Sequence, residues 1–192
     1  RICPPRPGLR VLEPGCGSAK FSIGYALRGA HVEALDIDQG VLKYAAALWA
    51  KALLARPGKY ELDLILGNLF DLERMFPDAL YDFVFNEGIS HHFPRTDWRR
   101  QESINQMVKV TKPGGMGCVM VSNAHCPEMM EYARTISHTY LKMPPKQEPF
   151  HGDELCDSLT QAGLIDIKIV PVGGLWARAM LIAGWGTRAP LG

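Results

Sequence analysis

The sequence contains few cysteines, no long apolar run and no motif of a structural metal site. Its five cysteines are an odd number with no Cys-x-x-Cys pair among them. This argues against a disulfide framework and a zinc ribbon, and it favours a reducing compartment. No apolar run approaches the roughly 20 residues that a bilayer-spanning helix needs, and no signal-peptide pattern is present. We therefore expect a cytoplasmic protein without a membrane span or a bound metal.

An excess of one charge is also missing. Lysine and arginine number 21 against 20 acidic residues, and the formal net charge is +1. This balance argues against a surface dedicated to nucleic acid, so no nucleic-acid partner is expected. With 47% hydrophobic and 21% charged residues in 192 positions, the composition is typical of a globular protein. We expect residues 1–192 to form one domain.

Extended and helical patterns alternate along the chain. Strands are predicted at 10–13, 31–35, 62–66, 81–85, 117–121, 165–172 and 178–184. Helices are predicted at 18–28, 41–52, 71–76, 96–111 and 152–162. Short connections between alternating elements indicate a mostly parallel sheet with helices on both faces. About five residues separate the last two strands, too few for a crossover helix, so the C-terminal strand should be antiparallel. The predicted fold is α/β, with a doubly wound, seven-stranded sheet.

One segment is longer than this alternation requires. About 27 residues, 124–150, separate the fifth strand from the next helix, with a helix predicted over 128–140 and an extended Met143-Pro144-Pro145 after it. Insertions of this length at the carboxyl edge of a sheet often form a substrate wall or lid. The other interpretation is an extra packing helix without a direct role.

Polar and glycine residues follow four of the predicted strands, where open α/β sheets bind ligands. These strand ends are Glu13-Pro14-Gly15-Cys16-Gly17, Asp36-Ile37-Asp38, Gly67-Asn68-Leu69 and Asn86-Glu87-Gly88. Glycines allow close approach of the backbone to a ligand. Asp36 stands 19 residues after Gly17, a spacing typical of a carboxylate that binds ribose hydroxyls. The pattern predicts a nucleotide pocket.

The glycine turn after the first predicted strand lacks features of dinucleotide-binding and phosphate-binding sites, which narrows the kind of nucleotide expected. Lys20 stands where a dinucleotide fingerprint would have its third glycine, and no phosphate-binding P-loop occurs. Glu13 would repel a phosphate but attract an ammonium group. A ligand with adenine, ribose and an amino-acid tail fits these groups better than NAD does, and S-adenosylmethionine is such a ligand. An NAD-dependent oxidoreductase is the less favoured alternative.

These motifs resemble those of class I S-adenosylmethionine-dependent methyltransferases. The segments concerned are 11–17, 34–38, 81–88 and Lys112-Pro113-Gly114-Gly115, and the similarity is greatest to the small-molecule type with His91-His92-Phe93 after the fourth strand. The resemblance spans residues 10 to 184. It implies a Rossmann-like fold and methyl transfer to a small-molecule acceptor at oxygen, nitrogen or carbon. A non-catalytic S-adenosylmethionine-binding subunit remains an alternative.

The resemblance also implies roles for individual residues. Glu13, Gly15 and Gly17 would surround the methionine part of the cofactor, with Cys16 as a small packed side chain in the same turn. Asp36 would bind the ribose, Ile37 would pack on the adenine face, Asn68 would meet the adenine amino edge, and Leu69 would lie beside the ring. Asn86 would offer its backbone carbonyl to the methionine amino group. Ala19 departs from the family, where many members have a further glycine.

The residues after the fourth strand are the candidates for catalysis. Glu87, His91 and His92 would face the transfer site, and any of them could act as general base toward a hydroxyl or amine. The alternative is that the histidines shape the loop. Trp98, Arg99 and Arg100 are interpreted as the solvated start of a helix.

Overall fold

The computed structural model describes residues 2–77, 81–131, 147–172 and 179–190. Part of the insertion therefore lies outside the described residues. A helix begins at residue 127 and continues to residue 131, while the rest of the predicted helix and the Met143-Pro144-Pro145 segment are not described. The predicted start of the last strand, at residue 178, is also outside the described ranges.

Seven strands form one sheet in the order β3-β2-β1-β4-β5-β7-β6. The strands are β1 Arg10–Pro14, β2 His31–Asp36, β3 Glu61–Leu66, β4 Tyr81–Glu87, β5 Thr111–Ser122, β6 Leu164–Val172 and β7 Leu181–Arg188. Strands β1 to β5 pair in parallel, and β7 is antiparallel to both β5 and β6. The predicted Rossmann-like sheet with one reversed C-terminal strand is confirmed.

Helices cover both faces of the sheet. They are α1 Lys20–Ala26, α2 Gln39–Ala55, α3 Leu72–Met75, α4 Trp98–Val110 and α5 Gly152–Gln161. Helices α1 and α2 pack on one face through Ala26, Leu42 and Ala45. Helices α3, α4 and α5 pack on the other face through residues such as Leu72, Ile104 and Leu155. Within the described ranges, no helix is long and apolar enough to cross a membrane.

A capping contact sets the start of α4, and backbone conformation sets the start of α1. Asp97 accepts a hydrogen bond from the Arg99 backbone N–H at 2.9 Å, so α4 begins at Trp98 and not at the predicted residue 96. Helix α1 begins at Lys20 and not at 18, because Ala19 is left-handed with φ 55°. No side chain caps α1 at Ala19, but the buried Glu13 accepts from the Ser22 N–H at 3.1 Å.

Strand β5 is longer than predicted. The predicted strand starts at 117, but β5 begins at Thr111. The register with β4 jumps from Tyr81–Thr111 to Phe83–Met116, so the intervening residues form a bulge within the strand. Gly114 accommodates this bulge with φ 75°. Strand β7 ends at Arg188, beyond the predicted 184, because it pairs along its length with strands on both sides.

Candidate functional site

A cavity lies at the carboxyl ends of the strands where the strand order reverses. Strand β1 has β2 on one side and β4 on the other, which is the position where open α/β sheets bind ligands. The cavity encloses about 240 Å³, and we call it the nucleoside cavity. Its lining includes several residues singled out from the sequence, namely Gly15, Asp36, Ile37, Asn68, Leu69 and His92.

The glycine turn after β1 is held against the end of β2. The N–H groups of Gly15 and Cys16 donate to the Leu35 carbonyl at 2.7 and 2.9 Å. Gly15 has φ 70°, and a Cβ placed on it would lie 2.6 Å from Cγ1 of Ile89. Nothing lies within 4 Å of a Cβ placed on Gly17. The turn is thus closed by Ile89 at Gly15 and leaves open space at Gly17 for a close ligand.

Asp36 is fixed in orientation by backbone donors. One carboxylate oxygen accepts from the Gly17 N–H at 2.9 Å, and the other accepts from the Asp38 N–H at 3.0 Å. Each carboxylate oxygen has two acceptor sites, so one donor per oxygen leaves capacity for two further hydroxyl donors. This arrangement suits a vicinal diol such as that of ribose.

The remaining walls of the nucleoside cavity are apolar. Ile37 is 71% exposed and offers an apolar side chain to the cavity, while Leu69 is buried. Asn68 caps a short 3₁₀ helix, Leu69–Asp71, by accepting from the Phe70 N–H at 3.0 Å. The sequence analysis missed Phe70 and Phe93, which also line this cavity and meet edge to face at 5.6 Å.

Glu13 lies beneath the turn and is only 2% exposed. Its Oε2 accepts from the Ser22 N–H at 3.1 Å and from the Ser22 hydroxyl at 2.5 Å. Burial raises the pKa of Glu13 to about 7, and the charge of Glu87 adds to this shift, whereas the Ser22 hydrogen bonds and Lys20 oppose it. Cys16, in the same turn, is buried, and burial raises the pKa of its thiol to about 12. The thiol is therefore a neutral packed group.

Asn86 is fully buried at the end of β4. Its side-chain nitrogen lies 3.1 Å from the Met107 sulfur, and its Oδ1 has no hydrogen-bond partner among the described residues. An unpaired buried acceptor costs roughly 1–3 kcal/mol, so a donor supplied by a ligand would suit this position.

Glu87 follows Asn86 and is paired with the first residue of α1. The Lys20 ammonium lies 2.9 Å from Glu87 Oε2, and 25% of the Glu87 side chain is exposed. This ion pair joins the start of α1 to the end of β4, next to the glycine turn.

The two histidines have different surroundings. His91 is 5% exposed, and its Nδ1 accepts from the Ser122 N–H at 3.1 Å. Burial lowers the pKa of His91 to about 3, with a contribution from the positive charges of His92 and Arg100. His92 is exposed and lines the nucleoside cavity, and desolvation of its ring lowers its pKa as well. Both rings are therefore neutral near pH 7.

Arg100 is not solvated as the sequence suggested, being only 5% exposed. It donates to Glu154 Oε1 at 2.9 Å and to the carbonyls of Phe93 and Glu148 at 2.8 and 2.7 Å. Its guanidinium carbon lies 3.4 Å from the centroid of the Phe150 ring. We call Arg100, Glu148, Phe150 and Glu154 the Arg100 clasp. Charge pattern alone could not reveal it, because most of its contacts come from residues about 50 positions away.

The described ranges contain no group of three or more His, Cys, Asp or Glu side chains arranged to hold a metal ion.

A doubly wound sheet with a glycine turn after β1 and an oriented aspartate after β2 defines an α/β protein that binds a nucleoside-containing ligand. The family model described as a methyltransferase domain matches residues 12–119, and this chain belongs to that family. The resemblance to class I S-adenosylmethionine-dependent methyltransferases is confirmed, and S-adenosylmethionine is the cofactor expected of the family.

Named relatives agree with this assignment. The chain is 28% identical to a ubiquinone biosynthesis O-methyltransferase of Marinobacter nauticus, over 82% of this chain and 64% of that protein. It is 29% identical to a malonyl-[acyl-carrier protein] O-methyltransferase of Serratia marcescens, over 57% of this chain and 37% of that protein. The chain therefore spans less than two thirds of the length of these relatives.

Solved structures share the fold. A magnesium protoporphyrin IX methyltransferase from Synechocystis, solved with bound S-adenosylhomocysteine, superposes with a TM-score of 0.68 at 17% identity. The match covers 95% of this chain and 75% of that one.

Proposed function

We propose that this protein transfers a methyl group from S-adenosylmethionine to a small-molecule acceptor. The observation that carries the proposal is the Asp36 carboxylate, which two backbone N–H groups orient at the edge of the nucleoside cavity. When bound, the cofactor supplies a sulfonium-activated methyl group. In the transfer, an electron pair of the acceptor forms the new bond to the methyl carbon as the carbon–sulfur bond breaks, and that bonding pair stays on sulfur.

We propose the cofactor-binding roles that the resemblance implies, and the positions of these residues around the nucleoside cavity support them. Asp36 would accept from the ribose hydroxyls, and Ile37 and Leu69 would enclose the adenine with Asn68 at its edge. Gly15 and Gly17 would admit the methionine part, with Cys16 packed behind the turn. Glu13 would lie near the methionine part, and the Asn86 backbone carbonyl would accept from the amino group.

Methyl transfer depends mainly on placement of the acceptor in line with the breaking bond. A base is needed only for an acceptor that must lose a proton. We propose Glu87 or His92 for this role, because both have exposed surface near the glycine turn. His91 is better suited to positioning, since its Nδ1 is already occupied by the Ser122 N–H.

An oxygen acceptor is the first to test. The two named relatives are both O-methyltransferases, which supports a hydroxyl or carboxyl acceptor over nitrogen or carbon. We also propose that the insertion 124–150 forms part of the acceptor's enclosure, because both of its described ends lie at the carboxyl edge of β5.

Calorimetric titration with S-adenosylmethionine, S-adenosylhomocysteine and NAD tests the proposal. We expect both adenosyl ligands to bind and NAD to remain silent. Binding of NAD alone would overturn the assignment. A panel of phenols and carboxylic acids, followed by detection of S-adenosylhomocysteine formation, then distinguishes an enzyme from a protein that only binds the cofactor.

A further inference from the structure

A second, larger cavity lies on the sheet face that carries α1. It encloses about 430 Å³ between α1, the chain before β1 and strands β4 and β5. Its walls include Phe21 and Tyr25 from α1, Phe83 and Phe85 from β4, and Met120 from β5. None of its described lining residues belongs to the nucleoside cavity. We call it the aromatic cavity, and its volume lies within the range of small-molecule sites, roughly 300–1,000 Å³.

Four aromatic rings make one continuous surface of this cavity. Phe83 and Phe85 are stacked with centroids 5.1 Å apart and an interplanar angle of 17°. Tyr25 lies 5.7 Å from each of them, and Phe21 meets Phe85 edge to face at 6.1 Å. The Tyr25 hydroxyl donates to the Cys3 carbonyl at 2.5 Å, and burial raises the pKa of this phenol. Tyr25 therefore offers its ring, and not a free acid, to a bound molecule. Such rings favour a flat apolar partner.

The described lining of this cavity carries two cations, one of which is paired with a carboxylate outside the lining. Lys20 and Arg28 are the charged residues among its described lining, which includes no carboxylate. The Lys20 side chain is 61% exposed and holds Glu87 at 2.9 Å, and Arg28 Nη1 donates to the Gly24 carbonyl at 2.7 Å. Both cations keep unused donors, because an ammonium has three and a guanidinium five.

The Lys20 end of the aromatic cavity meets the edge where transfer is proposed. Lys20 is the first residue of α1, three positions after Gly17. Its partner Glu87 is the last residue of β4 and pairs with Met120 of β5. The Lys20 end of the aromatic cavity therefore lies at the strand edge beside the glycine turn.

We propose that the aromatic cavity is the acceptor pocket, and that it takes a planar apolar molecule with an anionic group at its Lys20 end. This proposal rests on the methyl transfer proposed above. The apolar part of the acceptor lies on the four rings, and its anion binds Lys20, which exchanges part of its contact with Glu87 for the ligand. Charge complementarity thus selects acidic over neutral molecules of the same shape.

The test uses 2-naphthoate as probe and 2-naphthamide as its neutral analogue, titrated by calorimetry into the full chain. We expect 2-naphthoate to bind at least about tenfold more tightly than the amide. The substitution Lys20→Met keeps the apolar stem and should remove this preference. Lys43→Met, at an exposed lysine of α2, is the matched control and should leave both affinities unchanged.

A second variant fills the cavity without disturbing the fold. Gly24 lines the cavity on α1, and a Cβ placed there meets only Arg28 Nη1, at 3.6 Å. Gly24→Leu places a good helix former at this position, so the variant should melt no lower than the parent protein while 2-naphthoate binding falls by at least about tenfold.

S-adenosylhomocysteine is titrated into every variant to separate the two proposals. If it binds normally while 2-naphthoate fails to bind, binds no better than the amide, or binds Gly24→Leu as well as the parent, the acceptor pocket is wrong and the proposed function stands. If S-adenosylhomocysteine does not bind the parent protein, the proposed function falls and the pocket assignment falls with it.

Discussion

Ala19 adopts a strained, left-handed backbone conformation in the glycine turn. Its φ of 55° lies in the left-handed region, where a residue with a Cβ pays roughly 1–2 kcal/mol. Its methyl group is fully buried in a cluster with Cys16, Ala34 and Ala45, which returns roughly 0.8 kcal/mol. The chain therefore forms this turn with an alanine, at a small net cost in stability.

The substitution Asp36→Asn tests the proposed contact between the Asp36 carboxylate and the ribose hydroxyls. An amide has one acceptor oxygen, so it cannot accept from Gly17 and Asp38 on separate oxygens and still receive two hydroxyls. We expect S-adenosylhomocysteine binding to weaken by about 1–3 kcal/mol, measured by calorimetry. Asp63→Asn, at an exposed carboxylate of β3, is the control. Equal affinities in the parent protein and Asp36→Asn would show that the nucleoside lies elsewhere.

The raised pKa of Glu13 predicts that the free energy of unfolding depends on pH. Burial raises its pKa from 4.5 to about 7, so the folded state holds this proton more tightly than the unfolded state does. The free energy of unfolding should therefore decline as the pH rises from about 4.5 through 7. Glu13→Gln removes this decline and should exceed the parent protein in stability at pH 8, by up to about 3 kcal/mol. Urea denaturation from pH 5 to 8 measures the difference, and parallel profiles for the two proteins would contradict the prediction.

At the scale of elements, tertiary contacts hold the loops around the site. The Nδ1 atom of His91 accepts from the Ser122 N–H at the end of β5. The His91 carbonyl accepts from the Glu148 N–H at 2.7 Å. The Arg100 clasp then joins the start of α4 to residues 148–150 and to α5. The loop after β4 is thus fastened to the returning end of the insertion.

Removing the Arg100 guanidinium should lower the stability of the folded protein. Arg100→Met leaves the carbonyls of Phe93 and Glu148 without this donor, while Glu154 keeps its ion pair with Arg95 at 3.1 Å. We expect the free energy of unfolding to fall by about 1–3 kcal/mol, measured by urea denaturation. Arg99→Met is the matched neighbour, because Arg99 pairs with Asp97 on the exposed side of α4, and no measurable loss is expected. Equal effects of the two substitutions would mean that the clasp adds nothing to stability.

At the scale of the whole molecule, the alternation of short apolar strands with helices was enough to predict seven strands, helices on both faces and one reversed strand. The same reasoning located Asp36 and the glycine turn, because both follow strands directly in sequence. Sequence reasoning did not predict the features that depend on contacts between distant segments. The left-handed Ala19 sets the start of α1, and Glu13 of β1 accepts from the first turn at Ser22. The bulge at Gly114 depends on pairing with β4, and most partners of Arg100 lie in distant segments.

The insertion gives a prediction for the entire chain. Replacing residues 132–146 with a short Gly-Ser linker keeps the anchored residues at both ends. If the insertion encloses the acceptor, turnover should fall by at least about tenfold while S-adenosylhomocysteine affinity changes little. An equal loss of turnover and of cofactor binding would contradict this role, and melting temperature serves as the control for folding.

The anchoring of the insertion has a consequence for divergence of the family. The N–H of Phe150 donates to the Ser122 carbonyl, and its own carbonyl accepts from the Ala124 N–H, both at 2.9 Å. Entry and exit of the insertion are therefore fastened to the same strand, and the Arg100 clasp secures the exit a second time. Residues between these fixed points can be exchanged or lengthened without altering the register of the sheet. If the insertion encloses the acceptor as proposed, changes between these anchors would alter acceptor preference while the cofactor-binding residues stay the same.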